Sequence, residues 1–193
     1  IQQKSQRALY MNSERSDFKP TVKEIIIFGM LGALIFVSKL ITEALPNIHL
    51  IAVFIVSFSA VYRKKAIYPI AVFVLLTGLF YGFNNWWIPY IYIWLPLWIG
   101  VLIVPEKISE NKKYIIYIII CSLHGFLYGT LYAPAQAIMF GLDFKGTIAW
   151  IVSGLPFDCI HGVSNLICGL LIPPIVKIMK RLNKTTFEFS INK

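Results

Sequence analysis

Charge is scarce in this chain. Of its 193 residues only 14% are Asp, Glu, Lys or Arg, against about 25% in soluble domains. Hydrophobic residues make up 58% and the mean hydropathy is +0.71. A soluble domain of this size has too much surface to cover to be so poor in charge, which excludes that class. Alternation is missing as well: the apolar runs are long and unbroken, which excludes a transmembrane barrel and leaves a helical integral membrane protein. Cysteine is sparse, and Cys121, Cys159 and Cys168 all fall in apolar runs with no C-x-x-C pair, so they read as small packing residues. Signatures of soluble catalysis are absent too: there is no H-E-x-x-H, no G-x-S-x-G and no Walker A sequence.

What is present is a set of apolar runs, each near the ~17–25 residues that cross a bilayer. Six are read, at 22–42, 48–62, 66–83, 87–104, 114–139 and 155–178, the second extending back to Leu45. The expected fold is an all-α integral membrane protein, a six-transmembrane-helix bundle. It comprises a polar N-terminal segment (1–20), one membrane domain (21–182) and a tail (183–193). No signal-peptide pattern precedes the first span. The break Gly154-Leu155-Pro156 predicts a separate interfacial segment at 147–153 ahead of the last span.

The net charge of +9 is distributed by topology. Lys4, Arg7, Arg15, Lys19 and Lys23 precede span one, and Arg63, Lys64 and Lys65 separate spans two and three. Lys107, Lys112 and Lys113 lie between spans four and five, and Lys177, Lys180, Arg181, Lys184 and Lys193 follow span six. These sixteen of eighteen basic residues fall on one side, leaving only Lys39 and Lys145. By the positive-inside rule both termini are cytoplasmic, in a multi-pass protein of the cell membrane. The basic clusters then read as topology signals and lipid-headgroup contacts rather than as a nucleic-acid surface.

Against this background three polar residues stand out. The run from Gly154 to Pro173 contains no Lys, Arg or Glu, yet it carries Asp158, His161 and Asn165. At about 100° per residue the three fall within a ~60° arc of one helix face. Ionisable groups at membrane depth are costly and usually line an interior or a wet cavity. Counted at ~1.5 Å per residue from Lys177, they descend from about 28 Å to about 18 Å above the cytoplasmic boundary. The same outer half holds Lys39 and Glu43, the connection from Glu43 to His49, and the amide- and aromatic-rich stretch from Asn84 to Tyr90. It also holds His124, Tyr128, Tyr132 and Gln136 on span five, and the stripe Tyr90, Trp94, Trp98 at i, i+4, i+8 on span four. A cavity open to the outside is the simplest expectation.

Structural readings stand beside the functional one. Asp158 follows Pro156 closely enough to cap its own helix. His161 is also read as a buried histidine bonded to a neighbouring carbonyl, Trp86 and Trp87 as interface anchors, and Lys39 with Glu43 as an i,i+4 pair. Small residues recur four apart in three places: Gly29 with Ala33, Gly78 with Gly82, and Gly125 with Gly129. Each permits close helix approach, within the bundle or to a partner.

Six short spans, a polar outer half, a small-residue first helix and Pro-Phe-Asp-x-x-His-x-x-x-Asn over 156–165 resemble the substrate-binding S components of energy-coupling factor (ECF) vitamin transporters. The stretches 44–50 and 83–90 are similar to this family too, and the resemblance covers about residues 20–182. It implies a subunit that binds a water-soluble vitamin or related molecule from outside. Partners would be a transmembrane coupling subunit and two cytoplasmic ATPases, with no catalytic residue, cofactor or metal of its own. The ligand site it implies is Asn84, Tyr90, Trp94, His124, Tyr128, Tyr132, Gln136, Asp158, His161 and Asn165, with Asn47 and His49 on a lid loop. The family's Ala-x-x-x-Ala docking motif would correspond to Gly29 and Ala33, with Gly at the first position.

Two other classes compete. A stand-alone carrier or channel fits the composition, but no inverted repeat is evident. An intramembrane metal enzyme would need Asp158, His161 and His124 to converge on one ion.

Overall fold

The computed structural model describes residues 19–44 and 48–191, with side chains described to 183. Every regular element among them is helical. Thr21 starts α1 (Val22–Thr42) with a reciprocal capping box: its hydroxyl accepts from the Glu24 N–H, and the Glu24 carboxylate accepts from the Thr21 N–H at 2.8 Å. After the connection come α2 (Ile51–Tyr62), a 3₁₀ turn (Arg63–Ala66) and α3 (Ile67–Tyr81). Gly82, at φ +87°, ends α3 in a backbone conformation that a side chain would strain. A second 3₁₀ turn (Asn85–Trp87) leads to α4 (Tyr90–Ile93) and α5 (Leu95–Ile103). The remainder is α6 (Glu110–Phe126), α7 (Tyr128–Phe140), α8 (Phe144–Cys168), a turn at Gly169–Leu171 and α9 (Ile172–Ile191).

Among the described residues, five helical runs are long and apolar enough to cross a membrane: Val22–Thr42, Ile51–Tyr81, Asn85–Ile103, Glu110–Phe140 and Phe144–Asn183. The chain is a multi-pass membrane protein. The second run covers most of the spans read at 48–62 and 66–83, and it is broken at Arg63, whose φ is 52°. Side-chain contacts fix the direction of each half. Lys65 pairs with Glu24 near the start of α1 at 2.8 Å, and Tyr81 donates to Glu43 at its end at 2.9 Å, so α3 runs alongside α1 in the same direction. Tyr62 instead meets Asn183 at 3.2 Å, while His49, just ahead of α2, meets His161. The chain therefore turns back at Arg63. The Arg63 guanidinium donates to the Val101 and Leu102 carbonyls at 3.1 and 2.7 Å, and Trp98 Nε1 donates to the Arg63 carbonyl at 3.1 Å, which holds that turn against the end of α5.

One expectation is corrected here. Residues 147–153 are not a separate interfacial segment, since α8 runs through Gly154 and Pro156 without interruption. Asp143 caps it, accepting from the Gly146 N–H at 2.7 Å. Within a helix Pro removes one i→i−4 bond, a loss that a packed membrane helix tolerates more readily than an isolated one.

α6 packs along α8, α1 along α3, α7 against α8, and α2 against α5 and α9. The core gathers Ile35, Ile55, Phe58, Phe73, Trp94, Leu97 and Cys121. The two sides of α8 settle what surrounds it. Phe157 and Ile167 are 58% and 63% exposed, whereas Asp158 and Asn165 are 3% and 2%. Such a surface is costly in water and stable in lipid. Cys159 lies on this exposed side, so the packing role read for it holds for Cys121 but not for Cys159.

Candidate ligand-binding site

The polar face of α8 meets α6, α7 and the segment ahead of α2 at the end of the bundle away from the Arg63 turn. Its ends are tied by backbone. Asn165 Nδ2 donates to the Cys121 carbonyl at 3.1 Å, and Ser122 Oγ donates to the Gly162 carbonyl at 2.9 Å, fastening α8 to α6. At Leu127 α6 gives way to α7 through a residue at φ −102°, ψ 5°. Directly past that break the Gly129 N–H reaches both oxygens of Asp158, at 2.9 and 3.1 Å. Asp158 thus does not cap its own helix: it sits well inside α8 and supplies the negative charge at the start of α7.

Aromatic rings fill the space between. Tyr128 lies flat on His161, centroids 4.9 Å apart at 22°, and also meets Trp94 and His124 at 6.1 Å and Tyr132 at 6.2 Å. Trp94 in turn stacks on His124, 5.6 Å away at 27°, and meets Tyr90 edge-on. His124 Nε2 carries the proton, since it lies 2.8 Å from the Ile93 carbonyl, which can only accept. Tyr132 donates to the Trp86 carbonyl at 2.8 Å and stacks on Trp150. From the connection, His49 Nε2 comes to 3.0 Å from His161 Nε2. Burial, reinforced by the neighbouring imidazoles of His161 and His124, pushes the His49 imidazole down to about 3.

Seven of the ten residues expected at the site, the lid loop aside, therefore form one body: Tyr90, Trp94, His124, Tyr128, Asp158, His161 and Asn165. Tyr132 flanks it through the Trp86 carbonyl. Asn84 is exposed in the turn and Gln136 is half-buried one turn beyond Tyr132, so neither belongs to the buried polar set. His49 reaches the cluster, while Asn47 lies outside the described residues. Trp87 is more than an interface anchor, since its Nε1 donates to the Val74 carbonyl at 2.8 Å. Among the described residues no three His, Cys, Asp or Glu side chains converge as a metal site would require.

Ser164, one turn from His161 and not among the expected site residues, belongs to the same buried surface. Its hydroxyl, Nδ1 of His49 and His161, Nε1 of Trp94 and Oδ1 of Asn165 are buried polar atoms without a hydrogen-bond partner. Each such group costs on the order of 1–3 kcal/mol. Donors and acceptors of this kind, set among flat rings, are the composition of a small-molecule site.

The small-residue pairs separate by environment. A Cβ on Gly125 would meet the His161 carbonyl at 2.7 Å, and one on Gly129 would meet Asp158 Oδ2 at 2.7 Å, so this pair serves α6–α8 and α7–α8 contact. Gly78 is covered by the Phe83 and Trp87 rings. A Cβ on Gly29 meets nothing within 4 Å, whereas one on Gly32 would strike Val72 at 2.6 Å.

Comparison with protein-family models, curated proteins and solved structures gives no match to this chain.

Proposed function

We propose that this chain is the substrate-binding S component of an ECF-type importer, capturing a water-soluble vitamin or related small molecule from outside the cell. The observation that carries the reading is the buried aromatic cluster whose unpartnered polar atoms come from α5-proximal Trp94, from α8 and from the connecting segment at His49. A bundle stabilised for packing alone would not retain so many unsatisfied groups in one place. The reversal at Arg63 makes six crossings, with both termini and the basic turns in the cytoplasm. Gly29 and Ala33, on a side of α1 where Gly29 has open space, form the surface for the transmembrane coupling subunit. ATP is hydrolysed by two cytoplasmic ATPases bound to that subunit, since this chain has no phosphate-binding loop.

The test is reconstitution. The purified chain should retain a small organic ligand identifiable by mass spectrometry and should transport nothing in liposomes until the coupling subunit and ATPases are added. Rapid uptake by this chain alone would instead identify a self-sufficient carrier.

A further inference from the structure

His49 comes to the cluster from the connection between α1 and α2. Its Nε2 lies 3.0 Å from His161 Nε2, with the ring centroids 4.9 Å apart. Two imidazoles so placed share one proton between them: one ring gives an N–H and the other a lone pair, so the accepting ring is neutral. Below this contact the flat groups continue through Tyr128, Trp94 and His124. A neutral nitrogen heterocycle therefore already sits at the head of the aromatic stack, with one ring nitrogen engaged.

We propose that His49 is a built-in stand-in for the ligand. On this inference, which rests on the cluster being a ligand site, the site takes an uncharged planar nitrogen heterocycle whose ring nitrogen replaces that of His49 on His161. The charges present favour this class. Asp158 faces the Gly129 N–H with both oxygens, and neither Trp94 nor Asn165 can carry charge. Nε1 of Trp94, Oδ1 of Asn165 and Nδ1 of His161 supply neutral hydrogen-bonding groups at 1%, 2% and 8% residue exposure. A carboxylate or phosphate in the same place would be buried near Asp158, three residues from His161 on the same helix, and would add like-charge repulsion to its desolvation cost.

Since His49 and the ligand compete for His161, the apparent affinity falls by the fraction of time that His49 is out. The experiment titrates the full chain in detergent with benzimidazole as the neutral probe and benzoate as its anionic counterpart. If His49 occupies the site about nine-tenths of the time, His49→Ala should bind benzimidazole about tenfold more tightly than the unsubstituted chain. Adding His161→Ala should abolish that gain, and benzoate should bind to neither protein. Equal or weaker benzimidazole binding by His49→Ala, or comparable binding of benzoate, overturns the inference. A second readout does not depend on the variant folding. In the unsubstituted chain labelled with ¹⁵N-histidine, saturating benzimidazole should shift the ring signals of both His49 and His161, and an unmoved His49 signal also overturns it. Neither measurement involves the ATPase partners, so the importer assignment stands or falls separately.

Discussion

Asp158 and Gly129 are joined twice, both oxygens of one carboxylate lying within 3.1 Å of a single backbone N–H. The contact places a buried negative charge at the first turn of α7, where the N–H groups lack intrahelical partners. Through it, α8 fixes the break at Leu127 and hence the direction of Tyr128, which lies on His161. Asp158→Ala should lower stability by roughly 1–3 kcal/mol, the cost of an orphaned buried donor. Gly129→Ala should act similarly, because its Cβ would meet Asp158 Oδ2 at 2.7 Å. The two should not add: thermal unfolding of the double variant in detergent should show a coupling of ~0.5–3 kcal/mol. Additive losses would mean that the two residues act independently.

Gly29 and Gly32 lie three residues apart on α1 and face different surroundings. A Cβ at Gly32 would meet Val72 side-chain atoms at 2.6 Å and the Pro69 carbonyl at 2.8 Å, so Gly32→Leu should separate α1 from α3 and lower the melting temperature sharply. Gly29→Leu meets nothing within 4 Å and should leave the melting temperature within a degree or two. On the importer reading it should nonetheless reduce co-purification with the coupling subunit several-fold. Retained co-purification would remove this side of α1 from the docking surface.

The polar face of α8 was legible because charge-free sequence surrounds it: a 3.6-residue period is clear when Asp158, His161 and Asn165 are the exceptions in an apolar run. The turn between α2 and α3 was legible from Arg63-Lys64-Lys65 for the same reason. Asp158's partner was not, because it is a main-chain N–H exposed by a helix break at Leu127, which leaves no side-chain signature. Pro156 was misleading. Read locally it ends a helix, but the packing of α8 against α6 and α7 carries the helix through. His49 and His161 are 112 positions apart, and no periodicity within either segment encodes their meeting.

The His49 contact carries a pH dependence whose sign is fixed. Docked, the imidazole titrates at about 3; in water its ordinary value is 6.5. The docked form therefore favours the neutral ring, and docking is at full strength above pH 6.5. It weakens as pH falls from 6.5 toward 3, by up to about 1.4 kcal/mol for each unit. Besides burial, His161, His124 and Lys39 disfavour a positive charge on His49, and together they outweigh a backbone hydrogen bond that favours it. Amide hydrogen exchange at 48–50 should quicken between pH 7.5 and 5 once corrected for intrinsic rates. His49→Gln should flatten that dependence, and an unchanged profile in the variant would place the titrating group elsewhere.

Arg63 combines a strained backbone with a tethering side chain, and substitutions can separate the two. Its φ of 52° and ψ of −121° match the first central position of a type II′ turn, a conformation suited to glycine. Holding a side chain there costs on the order of 1–3 kcal/mol. Against that cost, the guanidinium satisfies the Val101 and Leu102 carbonyls near the end of α5 and lies 3.5 Å from Glu106. Arg63→Ala keeps the strain and loses the tether, whereas Arg63→Gly loses both. Arg63→Ala should accordingly be the less stable variant, by roughly 1–2 kcal/mol. Arg63→Lys should fall between Ala and the parent, because a single ammonium cannot span two adjacent carbonyls with the geometry of a guanidinium fork. Melting temperatures of the three variants in one detergent provide the ranking. If Gly and Ala were equal, the turn would owe its shape to the flanking helices rather than to the backbone at Arg63.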